Sequence, residues 1–186
     1  MKFLLLTNHL FEYGGSEVQI LELYAHLKAQ NHTAKIYAND WGEAFKGLFD
    51  ADDVLADIDA ICVSDYDVVW VQHAIFARLF KDIKQTDFSL KVISVHLSPY
   101  VPLEISSLAY MKAIGATFVV NSAETKQKLT ELSIDDKDIF VSHNAAPTTF
   151  IQPNQRKPEL AKIAIVSNHP PPRASDSRQT AASARH

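Results

Sequence analysis

The chain has 186 residues, 47% hydrophobic and 22% charged, a composition that excludes a wholly disordered or fibrous protein and suffices for one α/β core. Eighteen basic against 22 acidic residues leave a net charge of −4, which argues against a protein whose main task is gripping nucleic acid. With a lone cysteine, Cys62, a leading apolar run too short for a signal peptide, and no stretch near the roughly 20 apolar residues of a membrane span, the expected location is cytoplasmic.

KFLLLT (residues 2–7) is a compact apolar run that stops at polar Asn8-His9 and reads as a strand. HLFEYGGS then leads into a helix over residues 16–30, with Ser16 as N-cap and no interrupting proline. Val18, Leu21 and Ala25 mark one face of that helix, and Ile20, Tyr24 and Leu27 widen it. TAKIYA (33–38) reads as a second strand, and 41–64 as short helices or loops. DVVWVQ (67–72) and LKVISV (90–95) are β-branched runs of buried type, separated by a helix around 75–84. Pro102 opens a helix that ends near Gly115, following the Pro-in, Gly-out asymmetry. TFVVN (117–121) is a strand, Ser122 caps a helix over 123–132, and DIFVS (138–142) is a further strand. The alternation predicts a doubly wound parallel sheet, a Rossmann-like α/β domain over residues 1–150.

Beyond it, residues 151–169 read as a linker and the first strand (KIAIVS, 162–167) of a further unit. Residues 170–186 contain no Val, Ile, Leu, Met, Phe, Trp, Tyr or Cys and are expected to be a disordered tail. Basic usage also changes there, from 13 Lys and 2 Arg before Arg173 to 3 Arg and no Lys from that residue onward. Either an ordinary polar tail or translation outside the original reading frame would produce this.

In open parallel sheets, ligands bind beyond the carboxyl ends of the strands. The residues expected there are Asn8, His9, Gly14 and Gly15; Gln72 and His73; His96; Asn121 and Ser122; and His143 and Asn144. Gly14-Gly15 before a helix lets backbone N–H groups approach phosphate oxygens, although a plain turn uses the same pair. No G-x-G-x-x-G or Walker P-loop occurs. His73, His96 and His143 lack the spacing of a metal site, and no metal is expected. Seven aspartates between Asp50 and Asp67 lack the order of a calcium loop and read as a solvated acidic face. Cys62, among Ala60, Ile61 and Val63, reads as a buried thiol. No G-x-S-x-G elbow supports a serine hydrolase.

Five segments in one order carry a resemblance: YGGSEVQILELYAHLKAQNHTAKIYA, DVVWVQHA, KVISVHLSPY, ATFVVNSAETKQKL and DIFVSHNAAPTTFIQPN. Together they resemble the retaining glycosyltransferases of family 4, which have the GT-B fold, over residues 1–169. The resemblance implies the first half of a GT-B architecture, the acceptor-side domain of an enzyme moving a sugar from a nucleotide-sugar donor to a glycan or lipid-linked glycan. No cofactor or metal is implied. By position, Gly14 and Gly15 would lie against the donor diphosphate, with Glu17 closing that loop. His96 matches the histidine that contacts the transferring sugar, and His73 and Asn144 match further substrate-binding positions. Asn144 is followed by Ala145 where the family commonly has glycine. The family's second domain carries paired glutamates, and no such pair follows Lys162, so the expectation is a truncated chain, inactive alone. The alternative is a non-catalytic α/β module that holds an anion or nucleotide at Gly14-Gly15. No strongly basic amphipathic helix stands out, so nothing in the sequence supports membrane association.

Overall fold

Six apolar runs become six strands: β1 (Lys2–Leu10), β2 (Thr33–Trp41), β3 (Val68–Gln72), β4 (Lys91–His96), β5 (Thr117–Val120) and β6 (Ile139–Val141). The structure, a computed structural model, describes residues 1–73, 90–98 and 100–143, which fall within one compact unit, Met1–Ala145. The helix expected at 75–84, Asn144, the linker and strand at 151–169 and the tail lie outside the described residues.

All six strands pair in parallel, in the order β2-β1-β3-β4-β5-β6. Beyond β2, Val54 makes one parallel bridge to Ile36, and Leu55 N–H donates to the Ile36 carbonyl at 2.8 Å. Counted as a vestigial strand, that bridge completes the usual doubly wound order, in which the winding reverses between β1 and β3. The expected α/β Rossmann-like fold is therefore what the chain adopts.

Alternate side chains of β1 serve opposite faces, as a pleated strand requires. Leu4 and Leu6 join Val69, Val71, Phe118, Val120, Met111 and Leu129 on one side. Leu5 joins Ile20, Tyr24, Leu27, Ile36 and Phe45 on the other. The helices α1 (Gly15–Ala29), α2 (Pro102–Ile105), α3 (Leu108–Ala113) and α4 (Ala123–Glu131) are thereby divided between two layers. A sheet buried on both faces explains why its central strands are nearly continuous in apolar residues.

Several local expectations need correction. Helix α1 starts at Gly15 with Gly14 as N-cap, and no side chain caps it; Ser16 Oγ donates to Glu17 instead. Its buried face is Glu17, Ile20, Tyr24 and Leu27, whereas Val18 and Leu21 are half-buried and Ala25 is exposed. The reason is that α1 covers only the half of the sheet formed by β1 and β2, so one narrow stripe is sealed. The helix expected after Pro102 is two, α2 and α3, divided at Ser106-Ser107. Pro102 does stand in the first turn, and Gly115 has φ +76°, the left-handed conformation that ends α3. Ser122 caps α4 as expected, accepting from Thr125 N–H at 3.1 Å.

Cys62 is exposed, not buried, because the chain around it runs as short 3-10 turns (Ile58–Ala60 and Val63–Asp65) that send Ile58 and Val63 inward. The acidic stretch is not wholly a solvated face either, since Asp53 is 6% exposed. Its carboxylate accepts from Tyr24 Oη at 2.8 Å, Lys28 Nζ at 2.6 Å and Lys35 Nζ at 3.1 Å, tying the loop after β2 to α1 and to β2 itself. Burial alone would raise the Asp53 pKa, but the hydrogen bonds from Lys28, Tyr24 and Lys35 hold it below the usual range. Burial pushes the Tyr24 hydroxyl up to about 12.

Candidate functional site

Polar residues collect at the carboxyl ends of β1, β3 and β4, next to one another in the sheet and spanning the reversal between β1 and β3. Thr7 and Gln72 are 1% exposed, His73 is 6% exposed and His96 is fully covered. Burying a polar side chain costs free energy unless hydrogen bonds return it, so such a concentration above an apolar sheet requires an account.

Strand β1 extends through Asn8 and His9, farther than its apolar run, because β2 stays paired with it to Trp41. That extension carries His9 over the start of α1. His9 Nε2 lies 3.0 Å from Glu17 Oε1, while Ser16 Oγ donates to Glu17 Oε2 at 2.8 Å. Asn8 Nδ2 donates to His9 Nδ1 at 3.1 Å, which leaves Nε2–H of His9 to donate to Glu17. Asn39 Nδ2 donates to Asn8 Oδ1 at 3.1 Å, and Tyr37 Oη donates to Asn39 Oδ1 at 3.1 Å. A continuous row therefore runs Tyr37–Asn39–Asn8–His9–Glu17–Ser16.

His73 flanks this row. It follows β3 with φ +56°, a left-handed conformation that costs a non-glycine residue about 1–2 kcal/mol. The turn places its ring against His9, with centroids 4.9 Å apart and planes 17° from parallel, and its Nδ1 lies 3.3 Å from Thr7 Oγ1. Burial lowers the His73 pKa, and the neighbouring His9 lowers it further, against an opposing pull from Glu17. His73 is accordingly a neutral imidazole at pH 7.

The mouth of α1 is covered on one side only. A Cβ on Gly14 would collide with Glu17 Oε2, whereas a Cβ on Gly15 would meet nothing within 4 Å. The first-turn N–H groups of a helix have no intrahelical acceptors and lie at the positive end of its dipole. Here Glu17 brings a carboxylate to that end beside Gly14, and the Gly15 side stays open.

His96 sits deeper than a ligand-contacting residue would. Its Nε2 is 2.9 Å from Ser94 Oγ, and its ring is tilted against Phe118. Burial takes its pKa from 6.5 down to about 4. Glu104 fastens the turn above it, accepting from Leu97 N–H at 2.6 Å and Ser98 N–H at 2.8 Å. Glu104 is itself raised in pKa by burial, against the lowering effect of those two bonds. Two buried side-chain atoms beneath this edge, His96 Nδ1 and Gln72 Oε1, have no hydrogen-bond partner among the described residues, although Gln72 Nε2 donates to Gln19 on α1 at 2.7 Å.

The structure thus brings Gly14, Gly15, Glu17 and His73 together, with His96 below the neighbouring strand end. Asn144 lies outside the described residues. The ends of β5 and β6 serve local structure: Asn121 and Ser122 bond Thr125 at the start of α4, and His143 Nδ1 bonds the Asn121 carbonyl. Among the described residues no group of three His, Cys, Asp or Glu side chains could hold a metal ion. Likewise, no described helix is long and apolar enough to cross a membrane. Sequence reasoning placed His9 at the strand end but gave it no role, and it missed Thr7 and Asn39. The constant register between β1 and β2, which sets Thr7 opposite Ala38 and His9 opposite Asp40, is the signal that aligns Asn8 with Asn39. No protein-family model matches the chain, and no curated protein matches it either.

Proposed function

We propose that the described domain is the acceptor-side wall of a retaining glycosyltransferase, which moves a sugar from a nucleotide-sugar donor to a glycan or lipid-linked glycan. The observation that supports this reading is the collection of buried polar side chains at the reversal between β1 and β3. It is the position where doubly wound sheets take ligands, and Gly14, Gly15, Glu17 and His73, four of the residues in the segments that carry the resemblance, meet there. In this reading the open Gly15 side of the α1 mouth receives the donor diphosphate through first-turn N–H groups. Glu17, held by His9 and Ser16, closes the loop from the Gly14 side. His73 forms the floor beside it. His96 would meet a sugar hydroxyl with the turn at Leu97-Ser98 lifted, and its low pKa keeps it neutral when it does so.

The test is amide-resolved NMR of the full chain during titration with inorganic diphosphate, UDP and UDP-glucose. Millimolar ligand should shift Gly14, Gly15 and Ser16 together, and Gly15→Val should abolish those shifts with the circular dichroism spectrum unchanged. Shifts scattered over surface lysines, or shifts indifferent to Gly15→Val, would overturn the loop's assignment. Loop binding of diphosphate with no added response to the nucleotide-sugar would favour the non-catalytic anion-binding module.

A further inference from the structure

A cavity of about 610 Å³ lies beside the outer edge of β2, where the neighbouring chain pairs only at Val54 and then departs. Its walls include Tyr37, Trp41, Phe45, Phe49, Val54 and Leu55. The space is a cleft open to solvent on one side, walled largely by aromatic and aliphatic side chains. It falls within the size range of small-molecule sites, which are mostly apolar with a few polar groups to orient the ligand.

The polar groups of the walls are already engaged. Trp41 Nε1 donates to the Ala38 carbonyl at 3.1 Å, which also blunts the exposed edge of β2. Tyr37 Oη donates to Asn39, and Lys46 at the rim pairs with Glu43. A sugar buried here would leave its hydroxyls without partners, at a cost in free energy. An apolar group would not. Asn39, which lines the cavity, accepts from Tyr37 and donates to Asn8, and its amide keeps a second N–H and a second oxygen lone pair for a ligand hydroxyl at the end of the row through Asn8 to His9 and Glu17.

We infer that this cavity binds the apolar part of a small-molecule alcohol, with the hydroxyl-bearing end directed toward Asn39 and the row that leads to Glu17. That the alcohol is the acceptor of the transfer rests on the proposed function; that the cavity binds it does not. The shared chemistry is an aromatic or alkyl group carrying a hydroxyl, and two probes separate the sources.

Trp41 and Trp70 are the two tryptophans of the chain, and Trp41 lines the cavity. Umbelliferone absorbs where tryptophan emits, so its binding quenches Trp41, and decanol added afterwards tests displacement. The full chain should show saturable quenching that Trp41→Phe removes. Ala56→Phe and Ala51→Leu, which fill the cavity from exposed wall positions, should each weaken binding about tenfold or more with unchanged circular dichroism. Displacement by decanol identifies a site that accepts alkyl groups, and resistance to it identifies an aromatic site. Absence of saturable quenching, or quenching untouched by both filling variants, overturns the inference. Umbelliferone binding without any diphosphate response at Gly14-Gly15 would leave the cavity standing and remove the transfer reading; the opposite pattern would do the reverse.

Discussion

Burial of His96 makes the stability of this domain depend on pH in a direction and window that can be worked out. In the unfolded chain the imidazole titrates near 6.5, whereas in the fold its pKa falls to about 4 because burial disfavours the charged form. Above about pH 6.5 both states are neutral and the group contributes no pH dependence. Below that, the unfolded state takes up a proton that the folded state refuses, so stability falls as pH falls and levels off below about 4. By about pH 4.5 the loss amounts to about 2.5 kcal/mol, a large share of a typical domain's stability.

Other groups titrate in the same range, which is why a difference must be measured. His73, lowered by burial, adds a loss of the same sign. Glu104, raised by burial, opposes it as its carboxyl protonates. Asp53, held below 3.8, adds a loss only at more acid pH. Urea unfolding of the wild type and His96→Gln, followed by circular dichroism from about pH 7 to about pH 4.5, isolates the His96 contribution. Glutamine retains an amide able to bond Ser94 Oγ but does not titrate. The wild type should lose about 2.5 kcal/mol more than the variant across that range. Parallel stability curves, or a His96 ring proton that titrates near 6.5 by NMR, would refute the reasoning and indicate a solvent-connected imidazole.

Three further outcomes follow from the local geometry. Gly14→Ala should cost about 1 kcal/mol, because its Cβ must push the Glu17 carboxylate off His9 and Ser16, while Gly15→Ala should stay within about 0.5 kcal/mol. Equal urea midpoints for the two would sink that account. Asp53→Ala should destabilise by about 2–3 kcal/mol, since Tyr24, Lys28 and Lys35 all lose their shared partner; a thermal midpoint unchanged from wild type would show the network to be ornamental. Cys62 should react fully with a thiol reagent in the native chain, whereas protection until unfolding would contradict its exposure.

The sheet was legible because its strands are buried on both faces. VVWVQ in β3 and KVISVH in β4 have no other economical structure, and their spacing leaves room for crossovers between parallel strands. Boundaries were less legible where pairing, not hydrophobicity, sustains a strand. Asn8, His9, Asn39 and Asp40 are poor strand residues by composition, yet they continue β1 and β2 because each supplies the other's backbone hydrogen bonds. The same limit explains Cys62 and Asp53. One apolar-looking neighbourhood turned its thiol outward, and one acidic run turned a single carboxylate inward, because short 3-10 turns carry no periodicity that a sequence reader could use.

The candidate site shows why residue types at strand ends are easier to read than their relations. Gly14, Gly15 and His73 were visible from their places after apolar runs. The link between His9 and Glu17 was not, because it depends on β1 outlasting the strand expected at 2–7 by three residues, Asn8, His9 and Leu10. That small extension changes the chemistry of the α1 mouth. Without it Glu17 would keep only the hydrogen bond from its neighbour Ser16 to hold its carboxylate in place. With it, the carboxylate is drawn to the Gly14 side by His9 and Ser16, and the space beside Gly15 stays clear. Strand length, a property of backbone pairing, thus sets the electrostatics of the proposed donor loop.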